Sequence, residues 1–185
     1  MSTDANKPRL VEPSLDCEAA FVEMAREYHD GYEQAGRYRQ AVEDFAAFVR
    51  RLQDEARGVH LPPGWVPSQT YWLLRADGAI VADSCLRQDP LTESLLRSGG
   101  HIGYGVRPSQ RRKGYGRLIC ALTVEKARAA GMRRVLITCD ADNAASARII
   151  EANGGVLENE VIAAETGKLK RRYWVEIGQR EEVRS

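Results

Sequence analysis

Val106-Arg107-Pro108-Ser109-Gln110-Arg111-Arg112-Lys113-Gly114-Tyr115-Gly116 is the stretch on which the reading of this chain turns. Before it, His101-Ile102-Gly103-Tyr104-Gly105-Val106 reads as a strand, and its glycines suggest close approach by another backbone. After it, residues 114–130 form the clearest helical pattern in the chain, with Leu118, Cys120, Leu122 and Ala129 alternating with charge and Gly131 as a stop. Basic side chains therefore precede two glycines at a helix start. Glycine lets a backbone turn tightly and bring its N–H groups to a ligand. A helix N-terminus adds unpaired donors and a partial positive charge, which suits phosphate. The dipole alone supplies only about 0.3–2 kcal/mol, so charge-assisted bonds from Arg111, Arg112 or Lys113 would carry much of the grip. The residues by themselves define either an anion site on a strand–loop–helix unit or a solvated basic turn. They exclude a Walker A loop, which needs Gly-Lys-Ser/Thr, and a dinucleotide fingerprint, which needs GxGxxG.

Working outward, Arg9-Leu10-Val11-Glu12 suits a short first strand ended by Pro13. A helix follows with Ser14 as N-cap and Leu15, Ala19, Val22 and Ala25 on one face. Residues 38–56 suit a second helix with Val42, Phe45, Phe48, Val49 and Leu52 on its apolar side, stopped by Gly58. Residues 61–67, rich in Pro and Gly, form a loop. Asp77-Gly78 between apolar runs predicts a hairpin of residues 71–75 and 79–86. A short helix is expected over 91–97, a buried strand over 134–139 and a helix over 143–152. Strands from Val156 towards Ile162 and over 168–177 complete an α/β (α+β) pattern.

The chain has 185 residues, a net charge of +1 and 29% charged residues, the balance of one ordinary globular domain. No global field draws it to nucleic acid or an anionic membrane, and no apolar run approaches a membrane span. The polar segment 1–11 lacks a signal-peptide core, so a cytoplasmic location is expected. Cys17, Cys85, Cys120 and Cys139, like the three histidines, are too scattered for metal-ligand spacing; no metal site is expected and the cysteines should be thiols, most of them buried.

Arg111-Arg112-Lys113-Gly114-Tyr115-Gly116 resembles the R/Q-x-x-G-x-G/A motif of the GNAT superfamily of N-acetyltransferases, and Val106, Arg107 and Pro108 upstream match its usual setting. A second block, Leu136-Ile137-Thr138-Cys139, then Asn143 and Ala147-Arg148-Ile149-Ile150-Glu151-Ala152-Asn153-Gly154, resembles the family's next strand and its N-x-x-A-x-x-x-Y-E-K-x-G-F helix. The overall pattern is similar to a bacterial group of predicted acetyltransferases, which adds no substrate. The resemblance implies a single domain over 9–178 between tails 1–8 and 179–185. It implies a mixed, mostly antiparallel sheet of six to seven strands flanked by helices, with splayed central strands forming the acyl-CoA cleft. Acetyl-CoA would be the cosubstrate. The amides of Arg111 to Gly116 would hold its diphosphate, and backbone near Tyr104, Gly105 and Val106 its pantetheine, one amide polarising the acetyl carbonyl. Asn143 would close the cofactor side of the cleft, while its position also suits a helix cap.

One departure bears on mechanism. Many members carry a tyrosine in the second helix to protonate the leaving thiolate, and that position here is Ile150. Cys139, Tyr104 and Tyr173 are the candidate replacements as acid; His101, Glu160 and Tyr104 through water are candidates for the base that an attacking amine requires. The acceptor is expected to be a primary amine, met by the N-terminal helices, the loop around Trp65 and the segment near Tyr173-Trp174. Tyr28, Tyr32 and Tyr38 with Glu27, Asp30 and Glu33 form an acidic, aromatic stretch that suits a cation or an ordinary helix end. The alternative is a catalytically silent acyl-CoA-binding regulatory module on the same fold. The sequence leaves the oligomeric state open, a homodimer included.

Overall fold

A computed structural model describes residues 7–28 and 35–178; residues 1–6 and 179–185, most of the expected tails, lie outside the described residues, as do Asp30, Tyr32 and Glu33. Five α-helices and seven strands follow in the order β1 (Arg9–Val11), α1 (Glu18–Ala25), α2 (Ala35–Glu43), α3 (Phe45–Arg57), β2 (Ser68–Leu74), β3 (Ile80–Arg87), β4 (Ile102–Val106), α4 (Tyr115–Ala129), β5 (Arg134–Asp140), α5 (Ala144–Ala152), β6 (Gly155–Ile162) and β7 (Leu169–Glu176). The strands form one sheet in the order β1-β2-β3-β4-β5-β7-β6. Neighbours are antiparallel except β4 and β5, which run parallel at its centre. This is the mixed, mostly antiparallel seven-stranded sheet that the family resemblance implies.

Strand alternation sends side chains to two cores. Trp72 and Ile80 pack under α1, α2 and α3 with Phe21, Phe45 and Phe48, the Phe21 and Trp72 rings 4.8 Å apart. On the other face, Tyr71, Leu86, Ile102, Val135 and Ile137 meet Cys120, Val124 and Ala127 of α4 and Ala147 and Ile150 of α5. Ser84 lies 2.7 Å from Thr123 across that core, so both buried hydroxyls are satisfied.

Several boundaries differ from the sequence reading. Residues 38–56 are not one helix: Asp44 leaves helical geometry and its carboxylate accepts the Ala47 amide, ending α2 and starting α3. Val42 is consequently 44% exposed, whereas Phe45, Phe48, Val49 and Leu52 are buried. Ser14 is the cap of a 3₁₀ turn, Leu15–Cys17, that precedes α1, but it caps without a side-chain hydrogen bond to the backbone. The buried face of α1 is Phe21, Met24 and Ala25, and Leu15 stays 58% exposed. The larger apolar side chains win the core because they bury more surface. Likewise α4 buries Ile119, Cys120, Val124 and Ala127, while Ala129 is exposed. The helical turn expected over 91–97 is centred later, at Leu95–Gly99. Cys120 and Cys139 are buried, Cys17 and Cys85 half-buried, and all four are free thiols. No helix among the described residues is long and apolar enough to cross a membrane.

Candidate functional site

The two parallel strands at the centre of the sheet barely pair. Their register holds one Cα pair, Ile102 with Ile137, and the His101 amide donates to Leu136 O at 2.7 Å. Gly100 permits this contact: its φ is +65° and a Cβ there would stand 2.6 Å from Leu136 O. Beyond that point β4 and β5 diverge, and a cavity of about 490 Å³ opens between them. Gly103, Tyr104 and Gly105 line it from β4, Thr138, Cys139 and Asp140 from β5, and Asn143 and Ser146 from the start of α5. The backbone groups that face the gap have lost their ladder partners, so an extended chain of alternating donors and acceptors can pair there.

The basic loop joins β4 to α4 at one end of this gap. A 3₁₀ turn, Pro108–Gln110, leads to Arg112 at φ +60° and Gly114 at φ +86°, and α4 begins at Tyr115. No side chain caps that helix start, so its first-turn amides remain available to an anion. A Cβ on Gly114 would meet nothing within 4 Å, which leaves space above the loop backbone. Gly116 has a different reason: a Cβ there would lie 2.7 Å from Ile149 Cδ1, so glycine lets α4 pack on α5. Arg111, Arg112 and Lys113 are exposed around the loop; Arg111 Nε donates to Val106 O at 3.3 Å and Lys113 to Gln110 at 3.1 Å.

Arg107, which the sequence reading left without a role, anchors the loop. It is only 7% exposed, with Nε donating to Glu27 at 2.6 Å and Nη2 to Glu23 at 2.8 Å. Glu27 also accepts the Ser109 amide at 2.9 Å and the Ser109 hydroxyl at 2.8 Å. Burial works against ionisation of Glu27, but the Ser109 amide, Arg107 and the Ser109 hydroxyl outweigh it and hold the carboxyl below its ordinary value. Glu27 is thus committed to the loop rather than to an incoming cation. Tyr28 and Tyr38 are likewise core residues, packed edge to face at 4.7 Å.

The proton-handling candidates separate clearly. Tyr104 lines the cleft and its hydroxyl lies 2.8 Å from Ser146 Oγ. Burial pushes its phenol well above the usual range, so it is protonated at neutral pH. Cys139 also lines the cleft, and burial raises its thiol. His101 does not line it: the ring is 2% exposed, Nδ1 accepts the Leu136 amide at 2.8 Å, and Nε2 sits 3.0 Å from Asp89 Oδ1. An accepting Nδ1 fixes the proton on Nε2, so the ring works as a strap between β4 and β5, neither a surface residue nor a group facing the cleft. Glu160 lies on edge strand β6, paired with Arg171 at 2.9 Å, and does not line the cleft. Tyr173 is buried in the core and donates to Glu151 at 3.3 Å. Ile150, at the position where a tyrosine is usual, is fully buried. Asn143 does two things at once: it lines the cleft and accepts the Ser146 amide at 3.0 Å as the cap of α5.

Sequence reasoning missed Ser146, Asp83 and Arg87, all of which line the cleft. A second cavity of about 270 Å³, lined by Glu55, Trp65 and Thr92, shares Thr70, Cys85 and Arg87 with the first. The loop around Trp65 therefore faces a cavity that adjoins the cleft. The segment near Trp174 lines neither cavity; Arg134 covers that indole at 4.2 Å.

Comparison with known proteins places these features in a wider group. A family model described as an acetyltransferase (GNAT) domain matches residues 9–156. No curated protein matches. Among solved structures, Mycobacterium smegmatis RimJ in complex with CoA-disulfide is similar at a TM-score of 0.68 and 18% identity, over 98% of this chain and 86% of that one. A spermidine N-acetyltransferase SpeG chimera from Vibrio cholerae and hSSAT is similar at 0.64 and 11% identity, over 92% and 96%. RimL, a ribosomal L7/L12 alpha-N-protein acetyltransferase, is similar at 0.63 and 18% identity, over 95% and 91%.

Proposed function

The chain belongs to the GNAT acetyltransferase family, and on that premise we propose that it transfers an acetyl group from acetyl-CoA to a primary amine in a ternary complex. The observation that carries this is the single-pair contact between β4 and β5, which opens a cleft beside an uncapped helix start. Three parts of the cosubstrate have matching partners in the chain. The amides of Arg111 to Gly116 and the exposed Arg112 and Lys113 suit the diphosphate. The stretch Tyr104 to Val106 suits pantetheine: Gly105 faces β3, while the backbone of Tyr104 and Val106 faces the gap on the β5 side, and one of their amides serves the thioester carbonyl as negative charge grows on its oxygen. RimJ, whose structure contains a CoA derivative, and the two amine acetyltransferases above support this reading through their shared fold.

The attacking nitrogen must be neutral, forms the new C–N bond and sheds a proton once it has attacked, while the C–S bond breaks and the thiolate gains one. Asp83, opposite Gly105 in the β3–β4 register, takes the amine proton through water. Tyr104, kept protonated by burial, donates to the thiolate and is reprotonated from solvent through the Ser146 hydroxyl, which accepts a solvent proton as it passes its own on along their 2.8 Å contact. That hydroxyl pair stands in for the tyrosine absent at Ile150 and favours turnover over a silent binding module. Thiol release from acetyl-CoA on addition of primary amines tests the proposal. Amine-dependent thiol with matching N-acetyl product supports it; tight acetyl-CoA binding with no amine-dependent thiol would leave the regulatory module as the better account.

A further inference from the structure

The acceptor side of the cleft holds a cation that the reaction itself does not need. Arg87, at the end of β3, lines both cavities and is half-buried. Its Nη1 donates to Gly99 O at 3.2 Å and Gly100 O at 3.1 Å, and among the described residues no carboxylate lies within ion-pair distance of it. The other cation on the cleft wall, Lys170, is neutralised by Asp140. A guanidinium that is half-buried without a counter-ion is costly, and such a group is compensated when an anion arrives.

Resting on the acetyl-transfer reading above, the geometry points to an acceptor that carries a carboxylate a short distance from the reacting amine, with Arg87 as the group that binds it. Gly103 pairs with Cys85 and Gly105 with Asp83 across β3 and β4. Arg87 Nη1 and Nη2 lie 3.8 and 3.9 Å from where a Gly103 Cβ would stand, so the guanidinium sits over Gly103. Asp83, which takes the amine proton through water, lies opposite Gly105, two residues further along β4 and roughly 6–7 Å away at strand rise. A linker of about three to five carbon atoms spans that separation. Among the described residues Nε and Nη2 have no partner, and they form the two-pronged edge that matches a planar carboxylate. The remainder of a larger acceptor has the second cavity, beneath Trp65, to occupy. The same guanidinium repels a second ammonium at that distance, which argues against polyamines.

The test uses the full chain saturated with desulfo-CoA and titrated by calorimetry with 5-aminopentanoate, its primary amide and pentylamine. Carboxylate-dependent affinity is expected, with the amino acid bound roughly 10- to 100-fold more tightly than its amide. Arg87→Gln removes that preference, and Arg87→Lys, which keeps the charge and loses the fork, retains part of it. Acetyl-CoA affinity stays within about two-fold in both variants, and thermal unfolding checks that each is folded. Equal binding of all three amines by the unaltered chain, or a preference that survives in folded Arg87→Gln, overturns the inference. Thiol release with the same amines separates the two levels. Acetylation without carboxylate preference refutes the acceptor class and leaves the transferase reading standing; no acetyl-CoA binding at all refutes the transferase reading itself.

Discussion

Replacing Glu27 with alanine removes three hydrogen bonds at once: those from Arg107 Nε at 2.6 Å, the Ser109 amide at 2.9 Å and the Ser109 hydroxyl at 2.8 Å. Arg107 is then left 7% exposed with Glu23 as its remaining carboxylate, and the Glu23 side chain is 65% exposed. Hydrogen bonds to charged groups contribute about 1.5–3 kcal/mol each before relaxation, and stripping one partner from a buried ion pair costs about 3–5 kcal/mol. The Glu27 side chain retains 24% exposure, so water recovers part of the loss, and a net destabilisation of about 3 kcal/mol is expected. For a chain of this size that lowers Tm by roughly 6–12 °C. Glu23→Ala, removing a single solvent-screened contact, costs under about 1 kcal/mol. Urea unfolding of both variants gives the stabilities, and calorimetry with acetyl-CoA reports the loop, where Glu27→Ala weakens binding about ten-fold while Glu23→Ala is near neutral. If Glu27→Ala is no more destabilised than Glu23→Ala, or binds acetyl-CoA unchanged, the anchoring of the loop by the end of α1 is wrong.

Gly114→Glu places a carboxylate above the loop at φ +86°, where nothing lies within 4 Å; it costs about 1–2 kcal/mol of stability and abolishes acetyl-CoA binding, read by calorimetry on protein shown to be folded. Tyr104→Phe and Ser146→Ala each lower kcat roughly 10- to 100-fold with little change in the KM for acetyl-CoA, and the double variant falls little further because the two hydroxyls act as one relay. His101→Ala leaves the buried Leu136 amide without its acceptor and costs about 2–4 kcal/mol in urea unfolding, while activity per folded molecule stays within a few-fold. Because the folded-state pKa of Glu27 is held below the ordinary 4.5, its ionic contribution is fully present above about pH 4.5 and is lost as the pH falls through the folded value. Stability of the unaltered chain therefore drops on acidification below that point, and Glu27→Gln flattens the drop in unfolding titrations.

What could be read in the sequence was what is local. The loop from Arg111 to Gly116 announces itself because Gly114 must adopt a left-handed φ and a helix pattern starts at once beyond it. Asp77-Gly78, Gly58 and Gly131 mark their turns for the same reason, each glycine having positive φ. Residues whose role depends on distant partners were illegible. Arg107 meets Glu27 across 80 positions, Tyr104 meets Ser146 across 42, and His101 meets Leu136 across 35. Nothing in the local pattern of His101 distinguishes a strap between strands from a surface base. Helix faces went astray where two apolar stripes competed: Leu15 in the turn before α1, and Ala19 and Val22 on α1, gave way to the bulkier Phe21 and Met24. Arg87 reads as the last charged residue of a strand, and only the fold brings it over Gly103 between two cavities.

The central claim is a cleft and loop built for acetyl-CoA, and calorimetric titration of the purified chain with acetyl-CoA, alongside desulfo-CoA and ATP, tests it most directly. The account predicts micromolar binding of acetyl-CoA, comparable binding of desulfo-CoA because the diphosphate and pantetheine carry the contacts, and much weaker binding of ATP. No heat of binding at millimolar acetyl-CoA, or ATP bound as tightly as acetyl-CoA, would contradict it.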